Sequence, residues 1–399
     1  MAYLNPNSTS PITDSDKTTG RSNLEQLIDI ISGDVSGSDT RRKFEVFVTG
    51  GNALESVTSS LFQTVYDQDY SLQTSNAIMD MTVGLFSGSD TVSNASTGED
   101  SSGKLLFPSQ SLMMREKVAI YRQYAQTLLG DPDSYFTSPF DTLATDANIS
   151  NKRIDEAVFL NFKRLFVRDG VKEETLAMKL AATGTNQGDS VDNIFSASLA
   201  SADQVILTDL ASTTNKRLSY CGKVGDIVDS NNNSNFKGLV FYDKGIVVLD
   251  AARTFYKDQT IKGPIASVGS ATEQHNADLI PDLFVSASID DLVDHVGFSR
   301  FGDSDITTAI TYRNKTAINS TLYFCRAAPG FFNYSTNPTY TDSDGKIRVV
   351  DDEDDLPFSY VTTIGLYNDQ GELLAVAKTS RPIEKNPETD LTIRVRLDY

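Results

Sequence analysis

The stretch that decides the fold is YVTTIGLYNDQGELLAVAKTSRPIEKNPETDLTIRVRLDY, residues Tyr360–Tyr399. Two runs rich in apolar residues, Val361–Tyr367 and Leu373–Ala377, flank turn residues that include Gly371, which readily takes a positive φ, so a hairpin is predicted. The last segment alternates between Leu391, Ile393, Val395 and Leu397 on one face and Thr392, Arg394, Arg396 and Asp398 on the other. This period of two predicts a half-buried final strand, with the C-terminus held in a sheet.

A second hairpin is predicted at Gly238–Leu249. Its arms, Leu239–Tyr242 and Ile246–Leu249, are joined by Asp243-Lys244-Gly245, which suits a type I turn followed by a bulge. Both arms are apolar on both faces. Because such strands have to be covered on both sides, we expect a second sheet or a neighbouring subunit to pack against this hairpin.

The C-terminal half also resembles a known group of proteins. The segments that carry the resemblance are Phe332–Tyr340, Tyr360–Asn368, Leu373–Lys378, Gly225–Asp229 and Lys237–Asp250. Over residues 218–399 the chain resembles the C-terminal module of virion structural proteins of contractile-tailed marine phages of the cyanophage type. The resemblance implies a particle component of the tail, baseplate or neck, and it implies no catalytic residue.

Upstream of this half, apolar residues recur at helical spacing and predict a helical N-terminal domain, residues 23–183. The predicted helices are 23–33, 53–65, 76–86, 112–129, 151–168 and 171–182, with a short strand at Phe44–Val48. A Gly/Asn/Asp-rich break at 184–192 separates this domain from a β-rich, sandwich-like domain, residues 193–399, with a sub-boundary near 260–300. The predicted fold class is therefore α+β.

The N-terminal segment Met1–Ser22 is rich in Ser, Thr, Asn and Pro and contains little apolar surface. A free tail and an extended arm that orders on a neighbouring subunit both fit this composition. We favour the arm, because a neighbouring subunit would give it a surface on which to order.

Charge argues against a nucleic-acid binder. Of 399 residues, 54 are acidic and 35 are basic, which gives a net charge of −19. The longest basic cluster is Arg41-Arg42-Lys43, which we expect to form a solvated entrance to a strand or helix. Direct nucleic-acid binding is therefore not expected.

The two cysteines, Cys221 and Cys325, lie in apolar or aromatic surroundings and are expected to be buried free thiols. The sequence shows no signal peptide and no apolar run approaching the ~20 residues of a membrane-spanning helix. We expect the chain to remain in the host cytoplasm, without a membrane partner, until it is built into a virion.

Candidate catalytic residues are few. The only histidines are His275 and His295, and the latter follows Asp291 and Asp294 closely in sequence. A hydrolase would need these groups in one pocket, whereas a solvated histidine beside an acidic helix face needs nothing more. No second histidine or cysteine stands at zinc-ligand spacing, and no phosphate-binding glycine motif is present. We expect no enzyme activity and no cofactor.

Two acidic segments resemble cation-binding loops. Asp342-Ser343-Asp344-Gly345 begins like a calcium loop but lacks the rest of the ligand pattern. The run Asp351–Asp355 is either a solvated loop, a divalent-cation site or a contact for a basic neighbour. We assign no metal ligand to either segment.

These observations favour a non-enzymatic structural protein of a phage particle that binds other virion proteins and copies of itself in a symmetric assembly. The first alternative is a carbohydrate- or receptor-binding virion module with a stacking platform formed by Phe331, Phe332, Tyr334 and Tyr340. A capsid-associated protein is a further alternative.

Overall fold

The computed structural model describes residues 17–48, 57–89, 112–137, 153–181, 204–210, 212, 217–255, 260–262, 274–276, 284–301, 307–335, 337, 339, 341–344 and 357–399. Of the residues described, 53% lie in strands and 17% in helices, and one large antiparallel sheet dominates. The predicted α+β class with a helical N-terminal domain is therefore wrong, because the chain is mainly β.

The strands are β1 Lys17–Ile31, β2 Arg41–Val48, β3 Val57–Tyr66, β4 Ala77–Leu85, β5 Glu156–Phe162, β6 Ala177–Ala181, β7 Gln204–Thr208, β8 Arg217–Ser219, β9 Gly222–Asp229, β10 Asn232–Phe241, β11 Ile246–Asp250, β12 Thr260–Lys262, β13 Gln274–Asn276, β14 Thr308–Ala327, β15 Ser359–Tyr367, β16 Leu373–Lys385 and β17 Leu391–Asp398. The helices are α1 Ser32–Ser36, α2 Leu112–Leu129, α3 Arg164–Val167, α4 Ala251–Thr254, α5 Phe284–Ser286 and α6 Ile289–Asp294, and a π-helical turn follows at His295–Arg300.

The large sheet has the strand order β1-β14-β6-β7-β9-β10-β11-β5-β4-β3-β2, with β17 paired to β14 and β8 paired to β9. The chain divides into unit 1, Met1–Leu24 with Ala317–Tyr399, and unit 2, Glu25–Thr316. Strands β1 and β14 contribute residues to both. The predicted break at 184–192 lies outside the described residues, and β5 and β11 from either side of it pair directly in unit 2.

Strands β3, β4 and β5 replace three of the predicted helices, 53–65, 76–86 and 151–168. Strands β4 and β5 are buried along most of their length. Helix α2 packs on the face of β4 that carries Gly84. Helix α6 contacts the opposite face: Gln63 of β3, which is paired with Met81 of β4, donates a hydrogen bond from Nε2 to Asp294 Oδ1 at 2.9 Å. Strands covered on both faces lose their alternation, so their apolar runs also match helical spacing.

The other two incorrect helices are 23–33, which lies mostly in β1, and 171–182, which contains β6. The predicted helix 112–129 is confirmed as α2, since its buried residues Tyr121, Ala125 and Leu128 recur at helical spacing beside an exposed polar face. The predicted strand at Phe44–Val48 lies within β2.

The hairpin predicted at Gly238–Leu249 is confirmed as β10–β11. Gly238 pairs with Leu249 and Phe241 with Ile246, while Gly245 takes a φ of +66° in the turn. Its side chains are buried within the single chain, partly by Phe136, whose ring centroid lies 5.9 Å from that of Phe241. The cover that the sequence left open therefore comes from the chain itself.

The predicted final strand is confirmed as β17. It pairs with β14 in unit 1, where Val395 is opposite Tyr323. Beyond its end, Tyr399 and Asn319 exchange two backbone hydrogen bonds of 2.8 and 3.1 Å. The C-terminus is therefore held in the sheet, as predicted.

Candidate interaction surface

The hairpin β15–β16 of unit 1 forms a two-stranded sheet of its own. Its turn is the one predicted around Gly371, which has a φ of +82°. The Asn368 side chain organises this turn, since its Oδ1 accepts from the backbone N–H of Gln370 at 3.0 Å and of Glu372 at 2.8 Å. An Asx-type turn of this kind fixes the register of the two strands.

One face of the hairpin is partly covered and carries Val361, Ile364, Leu366, Ala375 and Ala377. A register shift between Val361 and Thr363 lets Val361 and Ile364 share this face although their separation in sequence is odd. The alternation therefore continues across the irregularity, and the remaining apolar side chains point to the other face.

That other face is open and apolar. The exposed fractions of its side chains are 55% for Tyr367, 51% for Leu373, 67% for Leu374 and 53% for Val376. A Cβ at Gly365 would lie 2.8 Å from the Tyr367 ring and 3.2 Å from Leu373 Cδ1, so both side chains lie over this glycine. We call these four side chains, together with Gly365, the hairpin patch.

A buried lysine fixes a loop in the same unit. Lys385 is fully buried, and its Nζ donates to Asn333 Oδ1 at 2.9 Å and to the carbonyls of Asn386 at 2.7 Å and Pro329 at 3.2 Å. Asn333 in turn donates to the Pro329 carbonyl at 2.8 Å. The ammonium therefore uses its three donors to hold the loop at 329–333.

This loop carries part of the aromatic platform predicted from the sequence. Phe331 is 45% exposed and Tyr334 is 49% exposed, while Phe332 takes a φ of +59° and is half-buried. Tyr340, the fourth predicted member, lies outside the described residues. The structure thus places two half-exposed rings on a loop held by Lys385.

Unit 1 contains very little core of its own. Among the described residues, its only buried hydrophobic side chains are Leu366 and Val395, and the hydrophobic core cluster lies within unit 2. The exposed large hydrophobic residues of unit 1 include Phe331, Tyr334, Tyr360 and the four side chains of the hairpin patch. An ordered segment with so few buried apolar groups lacks the main source of folding free energy.

The expected solvated histidine beside an acidic helix face is wrong, because His295 is buried. The alternative, a contact of His295 with Asp291 or Asp294, is not seen either. Buried His295 accepts a hydrogen bond at Nε2 from Arg300 Nε at 3.1 Å. Burial, assisted by the Arg300 charge, lowers the pKa of His295 well below its usual value, so the ring is neutral. Asp294 instead forms a salt bridge with Lys43 at 2.9 Å and accepts a hydrogen bond from Gln63. Asp291 accepts a hydrogen bond from the Ser288 hydroxyl at 2.8 Å. The backbone of the other histidine, His275, lies in β13.

The basic triplet is only partly solvated. Arg42 and Lys43 are exposed, but Arg41 is buried, with its guanidinium 3.6 Å from the centre of the Phe298 ring and 3.4 Å from Asp294. Burial lowers the pKa of Arg41 to about 10, while Asp294 opposes the shift, so the side chain stays charged at neutral pH. The expectation that Arg41 is solvated was wrong, because partners distant in sequence enclose it.

The two cysteines are free and half-buried rather than buried, and burial raises the pKa of both thiols. In the possible calcium loop, Asp342 Oδ1 accepts from the Asp344 backbone at 3.0 Å, which is an ordinary turn. Gly345 and the run Asp351–Asp355 lie outside the described residues. Within the part of the chain that the structure describes, no group of three or more His, Cys, Asp or Glu side chains is arranged to hold a metal ion.

The fold and these surfaces define a mainly β protein whose smaller unit presents apolar side chains to its surroundings. No family model, curated protein or solved structure matches the chain. Among the described segments, no helix is both long enough and apolar enough to cross a membrane.

Proposed function

We propose that this protein is a non-enzymatic structural component of a phage particle, in the tail baseplate or neck, which binds other virion proteins through unit 1. The observation that carries the proposal is that the described residues of unit 1 include only two buried hydrophobic side chains, Leu366 and Val395. Since apolar burial is the dominant favourable term in folding, unit 1 obtains the burial it lacks from a partner in the assembly.

The hairpin patch is the part of unit 1 best suited to this contact. Full burial of one large apolar side chain contributes about 1.5–3 kcal/mol, and Tyr367, Leu373, Leu374 and Val376 are all more than half exposed. The backbone around them is fixed by the Asn368 turn, so little order has to be gained on binding.

The assignment to a phage particle rests on the sequence resemblance. Two of the segments that carry it, Tyr360–Asn368 and Leu373–Lys378, are the strands and turn of this hairpin. These two segments expose apolar surface, whereas two others that carry the resemblance, Gly225–Asp229 and Lys237–Asp250, lie in largely buried strands of unit 2. The overlap at the hairpin supports an assembly contact there.

The first experiment locates the chain. Antibodies against the protein are applied to purified particles of the phage that encodes it, and bound gold is counted by electron microscopy. We expect label at the baseplate or neck. Label on the head would assign the protein to the capsid, and unlabelled particles that also lack the chain by mass spectrometry would refute a structural role.

The second experiment tests the contact itself. A variant with Leu374→Asp and Val376→Asp should enter particles at least about tenfold less than the parent, because burying two carboxylates at an interface is costly. The matched control, Thr362→Asp with Ser380→Asp, adds the same charge at exposed polar positions of the same hairpin. Equal incorporation of the two variants would contradict the role of the hairpin patch.

The loop held by Lys385 supports a second candidate, a carbohydrate- or receptor-binding virion module. Half-exposed Phe331 and Tyr334 supply apolar ring surface of the kind on which sugar rings and peptides pack. Phe331→Ser with Tyr334→Ser should then abolish binding of the purified protein to host cells while particle incorporation stays normal. If the parent protein does not bind host cells and the double variant is not incorporated into particles, this candidate is rejected.

A further inference from the structure

Strand β1 is a long edge strand. It runs without interruption from Lys17 to Ile31, and it stands at the end of the strand order in the large sheet. Only Ile30 is buried and only Ile28 is half-buried, while its other side chains are exposed. Among the strands that the structure describes, none follows it on its outer side in the sheet order, and a long edge of this kind is a template for pairing with another strand.

The charges on β1 follow a regular pattern. Lys17, Arg21, Glu25 and Asp29 recur every fourth residue and therefore lie on one face of the strand. The two basic residues come first and the two acidic residues second. The strand thus has a positive half and a negative half, and its pattern is complementary to itself when the direction is reversed.

We propose that a second copy of this chain adds its own β1 antiparallel to this edge, across a two-fold axis at Asn23. Lys17 of each copy then stands opposite Asp29 of the other, and Arg21 stands opposite Glu25. Because a two-fold interface is isologous, each of these pairs occurs twice. This contact between copies deepens the assembly role proposed above, but it uses β1 and not the hairpin patch, so either can fail alone.

The acidic half of the strand is held in position within unit 2. Glu25 accepts from Lys172 Nζ at 2.7 Å and lies 3.5 Å from Arg313, and Asp29 accepts from the Thr311 hydroxyl at 2.5 Å. A carboxylate has room for several donors on its two oxygens. Glu25 and Asp29 therefore remain able to receive Arg21 and Lys17 of a second copy.

The charge pattern also selects the register. A two-fold axis at Arg21 would place the Arg21 side chains of the two copies opposite each other. An axis at Glu25 would place the two Glu25 carboxylates opposite each other. Parallel pairing in register would set every charge opposite its own kind. Opposite charges across antiparallel strands are favourable and like charges are unfavourable, so the axis at Asn23 is the favoured arrangement.

Disulfide trapping in the full-length chain tests this register. With the axis at Asn23, the two Asn23 Cα atoms lie about 4.5–5.5 Å apart, within reach of a disulfide. Two copies of Leu24 lie on a diagonal about 7–8 Å apart, outside that reach. Under mild oxidation we expect Asn23→Cys to form a covalent dimer on a non-reducing gel. Leu24→Cys and the parent, which contains Cys221 and Cys325, should form no covalent dimer on that gel. Equal cross-linking of the two variants, or none in Asn23→Cys, would overturn the proposal.

Charge reversal tests the pairs in solution. Arg21→Glu places two carboxylates opposite each other at two symmetric positions, so the dimer dissociation constant from sedimentation equilibrium should rise at least about tenfold. Arg164→Glu, on exposed α3, makes the same change in charge away from β1. Added salt should weaken the parent dimer. A parent chain that stays monomeric, or an equal effect of the two substitutions, would refute the pairing without affecting the test of the hairpin patch.

Discussion

The hydroxyl of Tyr121 should contribute several times more to the free energy of unfolding than the hydroxyl of Tyr124, although both residues lie on α2. Tyr121 is fully buried, and its hydroxyl donates to the Ile154 carbonyl at 2.7 Å and accepts from the Phe136 N–H at 3.1 Å. Tyr121→Phe therefore leaves one buried backbone donor and one buried backbone acceptor without this partner.

The magnitude follows from these two groups. An unsatisfied buried polar group costs about 1–3 kcal/mol, and removing the hydroxyl relieves part of this by ending its own desolvation. We expect Tyr121→Phe to lower the free energy of unfolding by about 2–4 kcal/mol. The substitution conserves the ring and its contacts with Phe86, Phe136 and Phe159, so packing contributes little.

Tyr124→Phe is the matched control. The Tyr124 ring is stacked on Phe159, with centroids 4.1 Å apart and planes at 5°, and this contact survives the substitution. We expect a change within about 0.5 kcal/mol. Urea unfolding followed by circular dichroism measures both values, with the slope of the transition unchanged. Equal effects of the two substitutions, or a loss below about 0.5 kcal/mol for Tyr121→Phe, would refute the reasoning.

Two further predictions concern packing and pH. Gly84→Ala should destabilise the protein by about 1–3 kcal/mol, because the added Cβ would lie 2.9 Å from the Phe159 ring and 3.0 Å from the Tyr121 backbone. In the control, Gly330→Ala, the added Cβ meets nothing within 4 Å. Equal thermal unfolding temperatures of the two variants would contradict this packing. Burial raises the pKa of Asp226 to about 6, although Arg217 opposes the shift. Between about 3.9, the ordinary pKa of an aspartate, and about 6 the folded chain therefore keeps a proton that the unfolded chain has released. This contribution to stability is present at low pH and is lost as the pH rises through that window. Relative to Asp226→Asn, the parent should lose about 1–3 kcal/mol between pH 4 and pH 7, measured by urea unfolding; parallel pH profiles would show that Asp226 does not titrate in this way.

Several elements could be predicted from the sequence because local patterns specify them. Strand β17 alternates cleanly and the two hairpins carry suitable turn residues at Gly245 and Gly371. Helix α2 combines a long apolar stripe with an exposed polar face, which only a helix satisfies. In each case the information lies within a short stretch of chain.

The candidate interaction surface was only partly predictable. Exposed Phe331 and Tyr334 lie in a stretch that the sequence singled out, but the role of Lys385 in holding their loop was missed. No local signal marks this lysine, since its partners Pro329 and Asn333 are distant in sequence. The expectation of a solvated histidine was wrong for a different reason. The partner of His295 is near in sequence, since Arg300 follows it by one π-helical turn, but the burial that keeps the ring neutral arises only in the folded chain.

The sequence by itself determined the turns, the alternating strand β17 and the amphipathic helix α2, because each depends on neighbouring residues. Only the tertiary structure decided that β3, β4 and β5 are strands and that Arg41 is enclosed. It also decided that few hydrophobic side chains are buried in the described part of unit 1. The physical reason is that burial on both faces removes the polar alternation by which a strand is recognised, and that burial depends on segments that meet only in the folded chain.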